Sequence, residues 1–142
     1  MNLVLRSSAF VAFALSLAVA GCGKSKVDQC NSFVEVGNES QRAFVALSAA
    51  MLNPDSLKPR VEQIDASVAK LDALKLTDAK LVEIKTSYAD GLRGFSKGLK
   101  RVVELGKKGP PAELEKIGTE LEALSEKESK LIDQVNSYCS AN

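Results

Sequence analysis

An all-α fold, an antiparallel up-down-up-down bundle of four helices, is what this sequence predicts, and three observations carry it. From residue 26 onward no stretch alternates apolar and polar residues over the length of a strand, whereas four stretches repeat their apolar residues at helical spacing. Glycine, proline, asparagine and aspartate cluster between those stretches. The connections are short, which favours antiparallel neighbours. In such a bundle the start of the first helix and the end of the fourth lie together, so Cys30 and Cys139 share one end.

The first helix opens on Ser25-Lys26-Val27-Asp28, an acidic variant of the capping box, in which two backbone amides are satisfied reciprocally. Cys30, Phe33, Gly37, Ser40, Phe44, Leu47 and Met51 then recur on one face, and Asn53-Pro54-Asp55 ends the run. The second helix is expected from Ser56, with Pro59 in its first turn, where a missing N–H is harmless. Leu57, Val61, Ile64, Val68 and Leu71 form its stripe. After a turn at Lys75-Leu76, Thr77 is the expected N-cap of the third helix, with Asp78 behind it.

Leu81, Ile84, Tyr88, Leu92, Phe95, Leu99 and Val102 follow on the third helix, which stops at Leu105-Gly106 before Pro110-Pro111. Gly91, Gly94 and Gly98 interrupt it. Their spacing puts them on one face, which reads either as close approach of a neighbouring helix or as a kink. The fourth helix is expected from Ala112 or Glu113. Its seam runs through Leu114, Ile117, Leu121, Leu124, Glu128, Leu131, Val135 and Tyr138, with Glu128 the single charged intruder.

The segment before the bundle has a different composition. Met1 to Arg6 carries one positive charge, Ser7 to Ala20 carries none, and Val19-Ala20-Gly21-Cys22 closes the run. A positive start, a short apolar core and small residues before a cut describe a secretory signal. The apolar run is short for a membrane span, which needs about 20 residues. Val19-Ala20-Gly21-Cys22 resembles the lipobox of bacterial lipoproteins. That resemblance implies cleavage before Cys22, with a thioether-linked diacylglycerol on its sulfur and a third acyl chain, of the palmitate kind, on its amino group. Two or three chains anchor firmly where one anchors only marginally. Gly23 stands where an aspartate would favour the inner membrane, so the resemblance points to the outer membrane, facing the periplasm.

On this reading the chain divides into a signal peptide (1–21), a lipidated tether (22–25) and the bundle (26–142). Removing residues 1–21 from a chain of 142 leaves 121, enough for one domain with a real core. Arg6 is the only charge lost, so 19 basic residues become 18, equal to the 18 acidic ones. Neutrality argues against nucleic acid as a partner. With Cys22 assigned to lipid, Cys30 and Cys139 remain, and an even pair in an oxidising compartment reads as a disulfide between helices 1 and 4.

That bridge sets a register in which Glu128 comes level with Gln41, beside Ser40 and Arg42. Glu128 then either meets a polar or basic partner there or snorkels from the edge of the seam to water. At the other end Lys58, Arg60, Lys100, Arg101, Lys107 and Lys108 mix with Asp55, Glu62, Glu104, Glu113 and Glu115. This is either a basic tip for an anionic partner or a solvated surface of mixed charge.

No catalytic, cofactor or metal constellation stands out. The chain has no histidine, and two isolated cysteines cannot build a closed zinc site. No G-x-S-x-G, phosphate loop or EF-hand loop occurs, and the carboxylates sit beside lysines as on solvated faces. The expected role is therefore non-enzymatic: a structural or partner-binding lipoprotein of the cell envelope, attached to the membrane through Cys22. In size, anchor, helices and terminal bridge the architecture also resembles the pilotins, lipid-anchored helical adaptors that bind secretin subunits. An enzyme would need a cleft, with Tyr88 or Glu128 as its titratable group.

Overall fold

The computed structural model describes residues 24–50 and 54–141. Cys22, the tether's Gly23, the segment 1–21 and Met51 therefore lie outside the described residues. Four helices make up the described chain: α1 (Lys26–Ala50), α2 (Pro54–Ala73), α3 (Ala79–Leu105) and α4 (Pro111–Ser140). A short 3-10 turn, Gly106–Lys108, joins the last two. Among the described residues no helix is long and apolar enough to cross a membrane.

Local chemistry sets the helix ends. At the start of α1 the Ser25 amide donates to Asp28 Oδ2 at 3.2 Å, and the Asp28 amide donates to Ser25 Oγ at 3.1 Å, a complete capping box. The cap of α3 is Asp78 and not Thr77: its carboxylate accepts from the Leu81 amide at 2.9 Å. Thr77 stays outside the helix, and Gln29 Oε1 accepts the amides of both Thr77 and Asp78, at 2.6 and 2.9 Å. α2 starts at Pro54, ahead of Ser56, so Pro59 lies inside the helix rather than in its first turn. A proline at the first helical position is itself a good start, and α4 likewise begins on Pro111, slightly before Ala112. α3 ends on Gly106, whose φ of 55° is the one positive φ among the described residues.

The helices pack in chain order, with α3 between α2 and α4. Leu81, Ile84, Leu92 and Leu99 of α3 are almost fully buried, as are Leu57, Ile64 and Leu71 of α2 and Ile117 of α4. Each such side chain contributes about 1.5–3 kcal/mol through burial. Contacts run in opposite directions along neighbouring helices. Asp72 meets Arg93 while Asp65 meets Lys100, and Leu124 covers Gly94 while Leu121 covers Gly98. α3 packs extensively on both α2 and α4, and α1 packs on α2, whereas the seam between α1 and α4 is thin.

Two of the three glycines mark close approach. A Cβ on Gly98 would lie 2.7 Å from Leu121 Cδ2, and one on Gly94 3.2 Å from Leu124 Cδ1. Gly91 faces open space, and α3 runs through all three as one helix. The Cys30–Cys139 disulfide closes the α1–α4 seam at one end, with Cα atoms 5.8 Å apart across a separation of 109 residues. A loop of that size is worth about 4–5 kcal/mol in the chain-entropy model.

Candidate functional site

The seam between α1 and α4 holds the least conventional chemistry of the bundle. Three polar side chains interrupt the apolar stripes of three helices: Ser40 on α1, Tyr88 on α3 and Glu128 on α4. All three are buried, at 0, 2 and 7 % exposure. Ser40 Oγ lies 2.5 Å from the Tyr88 hydroxyl, a contact in which either oxygen can be the donor, and it is also within 2.8 Å of the Gly37 carbonyl, to which it can donate. Phe33 stacks edge-on against the Tyr88 ring, with centroids 6.0 Å apart.

Glu128 therefore does not reach water from the edge of the seam; it is buried beside Tyr88. Burial pushes its carboxyl up to about 7, and hydrogen bonding from Tyr88 offsets only part of that. Its Oε1 atom has no hydrogen-bond partner. Burial, and then the neighbouring carboxylate, in turn raise the Tyr88 phenol well above its ordinary range. A neutral, protonated Glu128 is the form this environment favours.

Of the residues expected opposite Glu128, Gln41 acts on the same Tyr88 hydroxyl. Arg42 is exposed and turned to the α1–α2 face, where it shares a depression with Arg60 and Lys70. The polar group that Glu128 meets is thus Tyr88, from a helix that a register between α1 and α4 alone does not include. A signal for it was present: Ser40, Tyr88 and Glu128 are the polar members of otherwise apolar stripes. Gln29, buried to 4 % exposure and holding the α2–α3 loop, had no such signal, because its targets are backbone amides far along the chain.

Openings flank this cluster. Toward the disulfide a pocket of about 40 Å³ is lined by Phe33, Gly37, Gln41, Tyr88, Ile132 and Val135. Away from it, a groove of about 520 Å³ runs between α1 and α4 over Phe44, Leu47, Phe95, Leu99 and Leu121, with Gly118 and Ser125 on its α4 side. Phe44 and Phe95 pack edge-on at 4.5 Å. The helices are stapled at one end and leave an apolar groove toward the other.

Among the described residues no group of histidine, cysteine, aspartate and glutamate side chains is arranged to hold a metal. No family model, curated protein or solved structure matches the chain.

Proposed function

We propose that the protein is a lipid-anchored, periplasm-facing lipoprotein of the bacterial outer membrane, in which a disulfide-stapled bundle serves a non-catalytic, partner-binding role in the cell envelope. The observation that carries this reading is Val19-Ala20-Gly21-Cys22 at the end of an uncharged apolar run. The Cys30–Cys139 bridge supports it, because structural disulfides persist in oxidising compartments. With the tether ending at residue 25, the stapled end of the bundle lies against the lipid surface and the α1–α4 groove opens away from it.

The test is metabolic labelling with palmitate in a bacterial host, followed by membrane fractionation and mass spectrometry of the amino terminus. Labelled protein in the outer-membrane fraction, with label lost in Cys22→Ala, is the expected result. An unmodified amino terminus overturns the proposal.

A second reading, that of a pilotin-like adaptor for a secretin or another envelope-complex peptide, is favoured by one feature, the apolar groove over Phe44, Phe95 and Leu121. An amphipathic helix laid in such a groove would bury its apolar face. A photo-crosslinking residue in place of Gly118 should then capture a peptide of such a complex in the native envelope. The same residue in place of Ala69, exposed on α2, should not. Equal capture at both positions counts against the adaptor.

A further inference from the structure

Between α1 and α2, on the face away from the α4 seam, lies a half-open depression of about 370 Å³. Its floor is made of small side chains, Ala43, Ala66 and Ser67. Ser67 is satisfied internally, donating to the Gln63 carbonyl at 3.0 Å. Three cations and one anion stand around it: Arg42, Arg60 and Lys70 against Glu39.

The one anion is already taken. Lys70 pairs directly with Glu39, and that hydrogen bond, before any other cause, holds the Glu39 carboxyl below its usual range. Arg42 reaches Glu39 only through its field. Among the described residues neither Arg42 nor Arg60 makes an ion pair. Arg60 is held in place all the same: its Nη1 donates to Gln63 Oε1 at 2.9 Å. Its Nε is buried and has no hydrogen-bond partner. A guanidinium fixed by a neighbour, with a buried donor unused, is an oriented fork without its acceptor.

The geometry points to a binding site for an organic phosphate in this α1–α2 depression, with Arg42 and Arg60 as its two guanidinium ligands. The charge of the lining selects the dianion. Two positive charges remain after Lys70 and Glu39 cancel, and they stand on two different helices. A carboxylate is a single negative charge that one planar fork satisfies, whereas a phosphate monoester offers oxygens in several directions and close to two charges. The volume selects an organic ester over the bare ion, since the Ala43–Ala66 floor leaves room beside the two guanidinium groups for a small uncharged body. A phosphorylated small molecule and the headgroup of an acidic phospholipid share this chemistry.

The test is a titration of the full chain held with phosphatidylcholine nanodiscs, read by the arginine Nε–H resonances in NMR. Two probes separate the sources: glycerol 3-phosphate in solution, and phosphatidic acid doped into the disc. Saturable shifts of the Arg60 Nε–H with either probe, weakened at least tenfold in Arg42→Gln and little changed in the double variant Glu39→Gln with Lys70→Gln, which removes the cancelling pair together, are the expected result. Saturation by the soluble probe assigns a small-molecule ligand, and saturation by the doped disc alone assigns the headgroup. Because Arg60 is partly buried, Arg42→Gln, at an exposed position, is the deciding variant, with its circular dichroism compared to the parent's. No saturable shift with either probe, or equal affinity in Arg42→Gln, overturns the site.

Discussion

Glu128 makes the stability of this bundle depend on pH in the direction opposite to an ordinary paired carboxylate. In the unfolded chain a glutamate titrates near 4.5, and in the bundle Glu128 titrates at about 7. Below about pH 4.5 both states carry the proton and Glu128 contributes no pH dependence. Between the two values the folded state holds a proton that the unfolded state has lost, so stability falls as pH rises, and the loss is complete once pH passes the folded value. At about 1.36 kcal/mol per pH unit of displacement, the loss from 4.5 to about 7 is roughly 3 kcal/mol. Glu128→Gln keeps the shape and removes the titration. The variant should match the parent near pH 4.5 and exceed it by about 3 kcal/mol above pH 7, a rise in melting temperature on the order of 10 °C. Urea unfolding of both proteins across that range, with the disulfide intact, measures it. Parallel pH profiles for parent and variant would refute the reasoning, because they would mean that the carboxylate ionises in the fold at no cost.

The remaining predictions concern packing and covalent restraint. Cys30→Ser with Cys139→Ser should lower stability by about 2–5 kcal/mol, read as a shift in denaturant midpoint that reductant reproduces in the parent but not in the variant. Gly91→Ala should stabilise by about 0.5–1 kcal/mol, since a Cβ there meets nothing within 4 Å. Gly98→Ala should instead destabilise by about 1–2 kcal/mol, because the buried Leu121 stands 2.7 Å from the new atom and must give up its packing to admit it. Tyr88→Phe should cost about 1–3 kcal/mol by leaving Ser40 and Glu128 without their shared hydroxyl. It should also move the Glu128 titration further up, visible as a displaced pH–stability curve.

What could be read in the sequence was whatever depends on period and punctuation. The stripes of α2 and α3 match the buried sets, Leu57 to Leu71 and Leu81 to Leu99, because a 3.6-residue repeat of apolar side chains has few other ways to leave water. The four-helix arrangement and its α1–α4 bridge followed from loop length and the positions of Cys30 and Cys139. Non-local polar contacts were not legible. Asp78 rather than Thr77 caps α3, in line with the stronger capping preference of aspartate, whereas Gln29, 48 residues from Thr77, takes the Thr77 amide, and no local rule anticipates that contact. Glu128 could be singled out as an intruder, but its environment depends on α3, which supplies Tyr88. The depression at Arg42 and Arg60 was equally hidden: in sequence Arg42 reads as a candidate partner for Glu128 and Arg60 as part of a mixed-charge tip, and only the packing of α1 on α2 brings both to one depression and leaves Arg60 Nε buried without a partner.

The polar contacts are distributed unevenly along the bundle, and that asymmetry bears on where it can bind anything. At the end where α1 begins and α4 ends, the disulfide is joined by Gln29 on the Thr77 and Asp78 amides and by the Tyr138 hydroxyl, which donates to Asp78 Oδ2 at 2.8 Å. Lys26 lies over the Tyr138 ring, 4.2 Å from its centroid, and donates to the Ala141 carbonyl at 3.0 Å. Three helix ends and a loop are tied together there by a covalent bond and hydrogen bonds that do not depend on apolar packing. Past Glu128 the α1–α4 seam is lined mainly by apolar side chains, with the Phe44–Phe95 contact beneath an open groove. A ligand or helix entering there displaces water from apolar surface, whereas entry at the stapled end would have to break several polar contacts. Ionisation of Glu128, which sits where the tied half meets the open one, weakens the seam on the side that has least to hold it. A ligand that enters the groove should therefore bind in a pH-dependent way, because it and the ionisation of Glu128 act on the same seam.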